Sequence, residues 1–434
     1  MPPLILAVNA GSSSLKLAVF RSDEQQVSLL ATGSLSSVGS PPAKFSYALA
    51  SSPDAKRKSD APRSVQTHTD AFEYFLHVLF DDERFTSEGH TREHITHICH
   101  RVVHGGRFTK PVVIEQDTYD RLAALSDLAP LHNNRALDII RSCHDSLPNA
   151  LSIAFFDSAF HSTLEPHIYT YSISPTIAKE KNLRKYGFHG LSYAFILRSV
   201  SSYLHKPLSE ISIIALHLGS GASVCAIRNG QSVNTSMGLT PVSGLPGGTR
   251  AGDVDPSLIF HYTADAHNVG RMSADATREL HITEAEKILN MESGWKALTG
   301  TADFHEIATS DKLSHKLAFD ILVDRVCQFV GGYFVQLEGK IDALVFAGGL
   351  GENSPELRKA ILDRCACLGI DTVDPKKNSS AEEHEGPVYE IGMGGTRIRA
   401  LVCETNEEVR VLFYFISLLT LTRFYSWKSL ESVF

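Results

Sequence analysis

Apolar positions open the chain in two patterns. Leu4 to Val8 is a continuous apolar run, and Leu15, Leu17 and Val19 alternate with other residues. Asn9, Ala10, Gly11 and three serines stand between them, so the pattern predicts strand, tight turn, strand. A turn this small and polar gathers backbone N–H groups and hydroxyls in one concave place suited to a phosphate or another anion. Lys16, just past it, could add a point charge. Many ordinary hairpins also carry Gly-Ser turns.

The pattern returns at residues 211–227, where apolar runs flank Gly219, Ser220 and Gly221. The copies lie far further apart than any solenoid period, which reads as duplication of a domain core. Two phosphate-gripping hairpins facing each other across a cleft is the plan of the actin-like phosphotransferases. That is an analogy of fold and does not fix the reaction.

Between and after the hairpins the apolar pattern predicts further elements. Residues 34–64, rich in Ser, Pro and Ala, read as a surface excursion. Residues 71–80 read as a helix, followed by a strand holding Ile95, Ile98 and Val102. Arg101 lies at the tail of that strand, before His104 and the Gly105-Gly106 pair, well placed to point into a cleft. Leu131, His132 and Asn133 stand at a helix start. A buried strand, 153–156, delivers Asp157 past its carboxyl end, where ligands of α/β sheets bind. An N-cap role competes for the same residue. His189 stands in a bend between Gly187 and Gly190. Residues 240–256 hold too many Gly and Pro for a regular element, and Arg250 is their only cation. Residues 343–356 read as a buried strand, a Gly-rich turn, and a helix with Ser354 as N-cap and Pro355 in its first turn. The chain has neither a complete dinucleotide fingerprint nor a P-loop.

Composition narrows the class. At 434 residues and 43% apolar, the chain can fill the cores of two or three domains. Net charge is −8 with no basic tract, which argues against a nucleic-acid partner. Seven scattered cysteines fit a reducing compartment, and Cys365 and Cys367 are expected to face core and solvent alternately. The first apolar run is too short for a signal peptide. The apolar stretch 411–422 falls short of the roughly 20 residues that span a bilayer, so it reads as a buried or partner-bound helix. The expectation is a soluble cytoplasmic protein with no membrane partner.

Taken in order, Asn9 to Ser14, His100 to Gly106, Pro130 to Asn133, Phe156-Asp157 and Tyr186 to Gly190 form a series. It continues with His217-Leu218-Gly219, Gly248-Thr249-Arg250, Asp253 to Pro256, Gly349 to Asn353 and Thr405 to Glu408. In this series the chain resembles the acetate and butyrate kinase family, from residue 4 to about residue 410.

The resemblance implies two duplicated actin-like (ribonuclease H-like) α/β domains with an interdomain active-site cleft. Residues 1–165, completed by 403–434, would form one domain and 166–402 the second, nucleotide-binding one. It implies reversible, direct in-line phosphoryl transfer between ATP and acetate, giving acetyl phosphate and ADP, with Mg²⁺ or Mn²⁺. By resemblance, Arg101 and Arg250 clamp carboxyl and phosphoryl groups. His132 and His189 donate to equatorial oxygens of the transition state, and Asp157 and Glu407 hold the metal with support from Asn9. Val103, Leu131, Phe188 and Pro241 match the pocket for the acetate methyl. The nucleotide would meet His217, Leu218, Gly219, Ser220 and Gly221, then Asp303, Phe304 and His305, then Gly349, Leu350, Gly351, Glu352 and Asn353. A homodimer is implied as well.

Some positions depart from the family pattern. Ser220 replaces a common Asn, His305 a common Arg, and Leu191 and Tyr193 replace a Thr and a His. A pyrophosphate-linked kinase, a propionate or butyrate kinase, and an actin-like ATP-binding regulatory protein are the alternatives. The last is disfavoured because a binding module needs only the phosphate loops, not Arg101, Asp157, His189, Arg250 and Glu407 together.

Overall fold

The computed structural model describes residues 2–11, 13–23, 27–52, 56–125, 130–262, 282–379, 384 and 386–405, with backbone only for 130–132 and 262. The described residues form two compact units, one within residues 1–159 and the other Phe160–Thr405.

The first unit is built on an eight-stranded sheet. Its strands are β1 (Leu4–Ala10), β2 (Ser14–Ser22), β3 (Val27–Ser36), β4 (Lys44–Leu49), β5 (Arg57–Asp60), β6 (Ile95–Val102), β7 (Val112–Val113) and β8 (Leu151–Phe156). Their order is β5-β4-β3-β2-β1-β6-β8-β7. β1 pairs antiparallel with β2 and parallel with β6, which runs parallel to β8. Leu4, Leu6 and Val8 alternate onto one face and pack with Phe72, Phe75, Leu76 and Leu79 of the helix His68–Asp81 and with Ile139 and Cys143 of the helix Pro130–Ser146. Thr67 and Asp70 close a capping box that starts the first of these helices.

Residues 34–64 are not the surface excursion expected. They hold the end of β3, β4 and β5, which widen the sheet. Phe45, Tyr47 and Leu49 alternate inward along β4, a period-2 signal obscured by the Ser- and Pro-rich residues around it.

The second unit repeats the plan. Its strands are β9 (Ile213–Leu218), β10 (Ala222–Arg228), β11 (Gln231–Thr235), β12 (Ala343–Ala347), β13 (Val388–Glu390) and β14 (Arg399–Cys403), in the order β11-β10-β9-β12-β14-β13. β9 pairs antiparallel with β10 and parallel with β12, which runs parallel to β14. The series β3-β2-β1-β6-β8 and β11-β10-β9-β12-β14 are therefore topological copies. β9 and β12 are buried along their whole length, because helices cover both faces: Leu313–Gln336 on one, Gly190–Leu204 on the other. This is why β12 reads as a continuous apolar run and β9 as one interrupted only by buried His217.

The Gly-rich stretch after β12 is not an open turn but a short helix, Gly348–Asn353. Ser354 then caps Pro355–Cys365 by accepting from the Leu357 N–H, with Pro355 in its first turn. Cys365 is buried and Cys367 exposed, and all seven cysteines are free thiols. Among the described residues no helix is long and apolar enough to cross a membrane. The apolar stretch 411–422, Asn406 and Glu407 lie outside the described residues.

Candidate active site

In the first unit, three parallel strands bring their carboxyl ends together. Asn9 is the penultimate residue of β1, Arg101 of β6, and Asp157 follows β8 directly. Arg101 Nε donates to both carboxylate oxygens of Asp157 at 3.1 Å, and Nη2 donates to Oδ2 at 2.6 Å. Nη1 donates to Asn9 Oδ1 at 3.3 Å. The Asp157 side chain is 1% exposed and that of Arg101 23%. One guanidinium thus fixes a buried carboxylate and an amide oxygen while keeping a solvated edge.

The loop after β6 is held as tightly. The His104 N–H donates to Asn133 Oδ1 at 3.0 Å, and Asn133 Nδ2 donates back to the His104 carbonyl at 2.9 Å. The Gly105 N–H donates to Ser158 Oγ at 3.0 Å. These bonds set half-buried Val103 beside the first turn of Pro130–Ser146, which carries Leu131 and His132. The side chains of those two residues lie outside the described set. At the first hairpin the Gly11 N–H donates to Ser14 O at 2.8 Å, and His68 Nε2 donates to Gly11 O at 2.9 Å. Lys16 is paired across the hairpin with Asn9.

In the second unit the bend at 186–189 is clamped from two sides. The main-chain N–H groups of Tyr186 and Gly187 donate to Gly238 O at 3.0 and 3.3 Å. His161 Nε2 donates to Phe188 O at 2.9 Å, and its Nδ1 accepts from Ser232 Oγ at 2.8 Å. Burial lowers the His161 pKa to about 4, so it is neutral near pH 7 and can fill both roles. Gly187 has φ +79°, and a Cβ there would stand 2.4 Å from Thr235 Cγ2 and 2.6 Å from His161 Cδ2, so the bend needs glycine twice over. His189 leaves the bend at φ +59° as N-cap of Gly190–Leu204. Phe188 is buried and Pro241 lies shortly beyond the Gly238 anchor.

His189 Nδ1 meets Ser223 Oγ at 2.8 Å, and its ring lies 4.2 Å from that of His217. His217 Nδ1 meets Ser192 Oγ at 2.9 Å. Beside them is the turn 219–221. The Gly248 N–H donates to Ser220 O at 2.8 Å, and Arg250 lies over Gly221, where a Cβ would stand 2.9 Å from its Nη1. Gly348, at φ +74°, packs so closely on β9 that a Cβ would stand 2.7 Å from Leu218 O. The segments 217–221, 248–250 and 348–349 therefore converge.

The remaining nucleotide candidates separate by environment. Phe304 is a core residue set edge-on to Trp295 at 5.1 Å, while Asp303 caps its helix through the His305 N–H and His305 is exposed. Leu218 is buried and Leu350 packs against the core. Glu352 Oε1 accepts from the Thr405 N–H and Oγ1 at 2.9 and 2.7 Å, anchoring the chain where it enters Asn406 and Glu407. Asn353 Nδ2 donates to Gly349 O at 2.9 Å.

Several residues in these clusters escaped the sequence reading: Ser223, Ser192, His161 and Ser158. For Ser223 a signal existed, since pairing the strands symmetrically about the 219–221 turn sets it opposite His217. The others come from remote segments and left none.

Two sheets of one duplicated plan, each with polar side chains at the carboxyl ends of its parallel strands, define an α/β protein of the actin-like class. A family model described as "Acetokinase family" matches residues 4–412. The chain is 50% identical over 413 residues to the probable acetate kinase of Emericella nidulans, covering 94% of this chain and 96% of that one. It is 37% identical to the acetate kinase of Leifsonia xyli subsp. xyli, covering 94% and 96%. Among solved structures, a propionate kinase from Francisella tularensis matches with TM-score 0.80 and 32% identity over 94% of this chain and 98% of that one. An acetate kinase from Porphyromonas gingivalis matches with TM-score 0.78 and 28% identity over 96% and 100%. The chain belongs to the acetokinase family, and it is an enzyme of the phosphotransferase class whose acceptor is a carboxyl group.

Proposed function

We propose that the chain catalyses reversible transfer of the γ-phosphoryl group of ATP to acetate, giving acetyl phosphate and ADP. The observation that supports this most is the buried Arg101–Asp157–Asn9 cluster, together with Arg250 against the 219–221 turn. Such chemistry asks the protein for in-line positioning and neutralisation of charge on the transferring oxygens. Arg101 and Arg250 supply paired donors to carboxyl and phosphoryl oxygens. His189 and His132 donate to the equatorial oxygens of the transferring group. Val103, Leu131, Phe188 and Pro241 are the apolar residues this reading assigns to the acyl methyl. His217 to Gly221, Gly349 to Asn353 and the Asp303 loop take the nucleotide, with Lys16 a second cation toward phosphate. Residues 1–165, completed by 403–434, and residues 166–402 act as the two domains of the enzyme, and the protein works as a cytoplasmic homodimer.

Among the described residues no three His, Cys, Asp or Glu side chains gather into a metal cage. Mg²⁺ needs none: it keeps waters and substrate phosphates and takes one or two protein oxygens. The Asp157 carboxylate and the Asn9 amide oxygen are hard donors of that kind, and Glu407 completes the set in this proposal. The ion supplies charge neutralisation between the phosphates when bound. Arg101 meanwhile holds Asp157 and Asn9 in place.

The test is hydroxamate trapping of acyl phosphate from Mg²⁺, ATP and acetate, with Arg250→Ala run beside the wild type. Wild type should form product. The variant should stay folded and lose on the order of 10³-fold or more in turnover. A near-normal rate in the variant would remove Arg250 from the reaction. Propionate, butyrate and pyrophosphate serve as rival substrates in the same assay.

A further inference from the structure

We propose that Tyr193 and Ser223 form a hydroxyl relay that sets the tautomer and the orientation of His189. This rests on the reading of His189 as a donor to the transferring phosphoryl group.

Ser223 Oγ is fully buried and touches two groups: Tyr193 OH at 2.5 Å and His189 Nδ1 at 2.8 Å. A serine hydroxyl has one proton, so it can donate to only one of them. Tyr193 decides which. It is fully buried, and burial raises its pKa well above the ordinary value, so it holds its proton. Among the described residues Ser223 Oγ is the acceptor within hydrogen-bond distance of the phenol O–H, and a buried O–H left unpaired is costly. The phenol proton is left for Ser223 Oγ. The Ser223 proton then points at His189 Nδ1, and the imidazole must carry its own proton on Nε2. The direction of the whole chain is therefore Tyr193 to Ser223 to His189, ending in an N–H that can donate to an oxygen anion.

The relay also fixes the ring. Ser223 sits on β10, opposite His217 in the hairpin register. Tyr193 lies one helical turn beyond His189, and the Tyr193 N–H bonds back to the His189 carbonyl at 2.9 Å. A strand and a helix thus hold the imidazole from Nδ1, with the His217 ring against its face at 4.2 Å. A phenol keeps the same donor direction across neutral pH, where an imidazole in its place could titrate. Ser223 and Tyr193 are positioning residues, acting through His189.

Nitrogen-15 NMR of histidine-labelled full-length protein reads the tautomer directly, and steady-state kinetics read its consequence. Wild type should show His189 as the Nε2–H tautomer. Ser223→Ala should mix the tautomers and lower kcat on the order of 10- to 100-fold, with KM for ATP and acetate nearly unchanged. Ser223→Thr keeps the hydroxyl and should restore both readouts. Tyr193→Phe removes only the first donor and should fall between. An unchanged His189 tautomer or an unchanged kcat in Ser223→Ala overturns the relay. If the tautomer shifts as expected but His189→Ala itself retains full turnover, the catalytic reading of His189 fails and the relay stands as structure alone.

Discussion

Arg101 and Asp157 form a charge-assisted pair with its carboxylate buried. Asp157 is buried and receives three hydrogen bonds from one guanidinium, the shortest at 2.6 Å. Hydrogen bonds to charged groups contribute about 1.5–3 kcal/mol, and removing one partner of a buried pair costs about 3–5 kcal/mol. Arg101 is 23% exposed, so water can recover part of its hydration when the carboxylate goes, and the lower part of that range applies. Asp157→Asn keeps the shape and should cost about 2–3 kcal/mol. Arg101→Gln strands a buried carboxylate and should cost about 3–4 kcal/mol. Because the two side chains touch, the double variant should cost less than the sum, with a coupling of about 2 kcal/mol. Urea unfolding of the four proteins at pH 7.5, followed by tryptophan fluorescence and by circular dichroism, gives the cycle. Coincidence of the two probes shows whether a single transition describes the protein. Additive single effects, with coupling under about 0.5 kcal/mol, would refute the claim that Arg101 holds Asp157 in place.

Other expectations follow from single contacts. Gly348→Ala puts a Cβ 2.7 Å from Leu218 O at φ +74°; left-handed backbone and overlap together should cost about 2–4 kcal/mol and weaken ATP binding, measured by calorimetry. His161 has a pKa of about 4 in the fold, lowered by burial, against about 6.5 when unfolded. The unfolded chain binds the extra proton between those values, so stability is intact above about pH 6.5 and falls as pH drops toward 4, by on the order of 3 kcal/mol. The urea midpoint of wild type should fall through that window, and His161→Asn should lose much of the slope. Buried His100, with a pKa of about 3, adds to the same trend.

Much of this was legible in the chain itself because period and burial agree. The two hairpins announce themselves by apolar runs around small polar turns, β12 by unbroken apolarity under two helix layers, and β9 by an apolar run interrupted at His217. Asp157 was placed correctly after its strand, since a buried run of Ile153 to Phe156 can end in a charge only where the chain leaves the core. β4 and β5 were missed because Ser and Pro around them outweighed the alternation of Phe45, Tyr47 and Leu49. The Gly-rich stretch at 348–353 hid a helix because glycine propensity argues against one, whereas packing on the end of β9 favours it. Long-range bonds such as His104 to Asn133 and His161 to Phe188 join segments roughly 30 residues apart. No local pattern encodes them.

The proposed reaction is one transfer with a nucleotide as donor. ATP formation from acetyl phosphate and ADP, with Mg²⁺ and with orthophosphate offered as a rival acceptor, tests that most directly. ATP is the expected product, dependent on Mg²⁺. Pyrophosphate formed from orthophosphate, with no ATP, would contradict it.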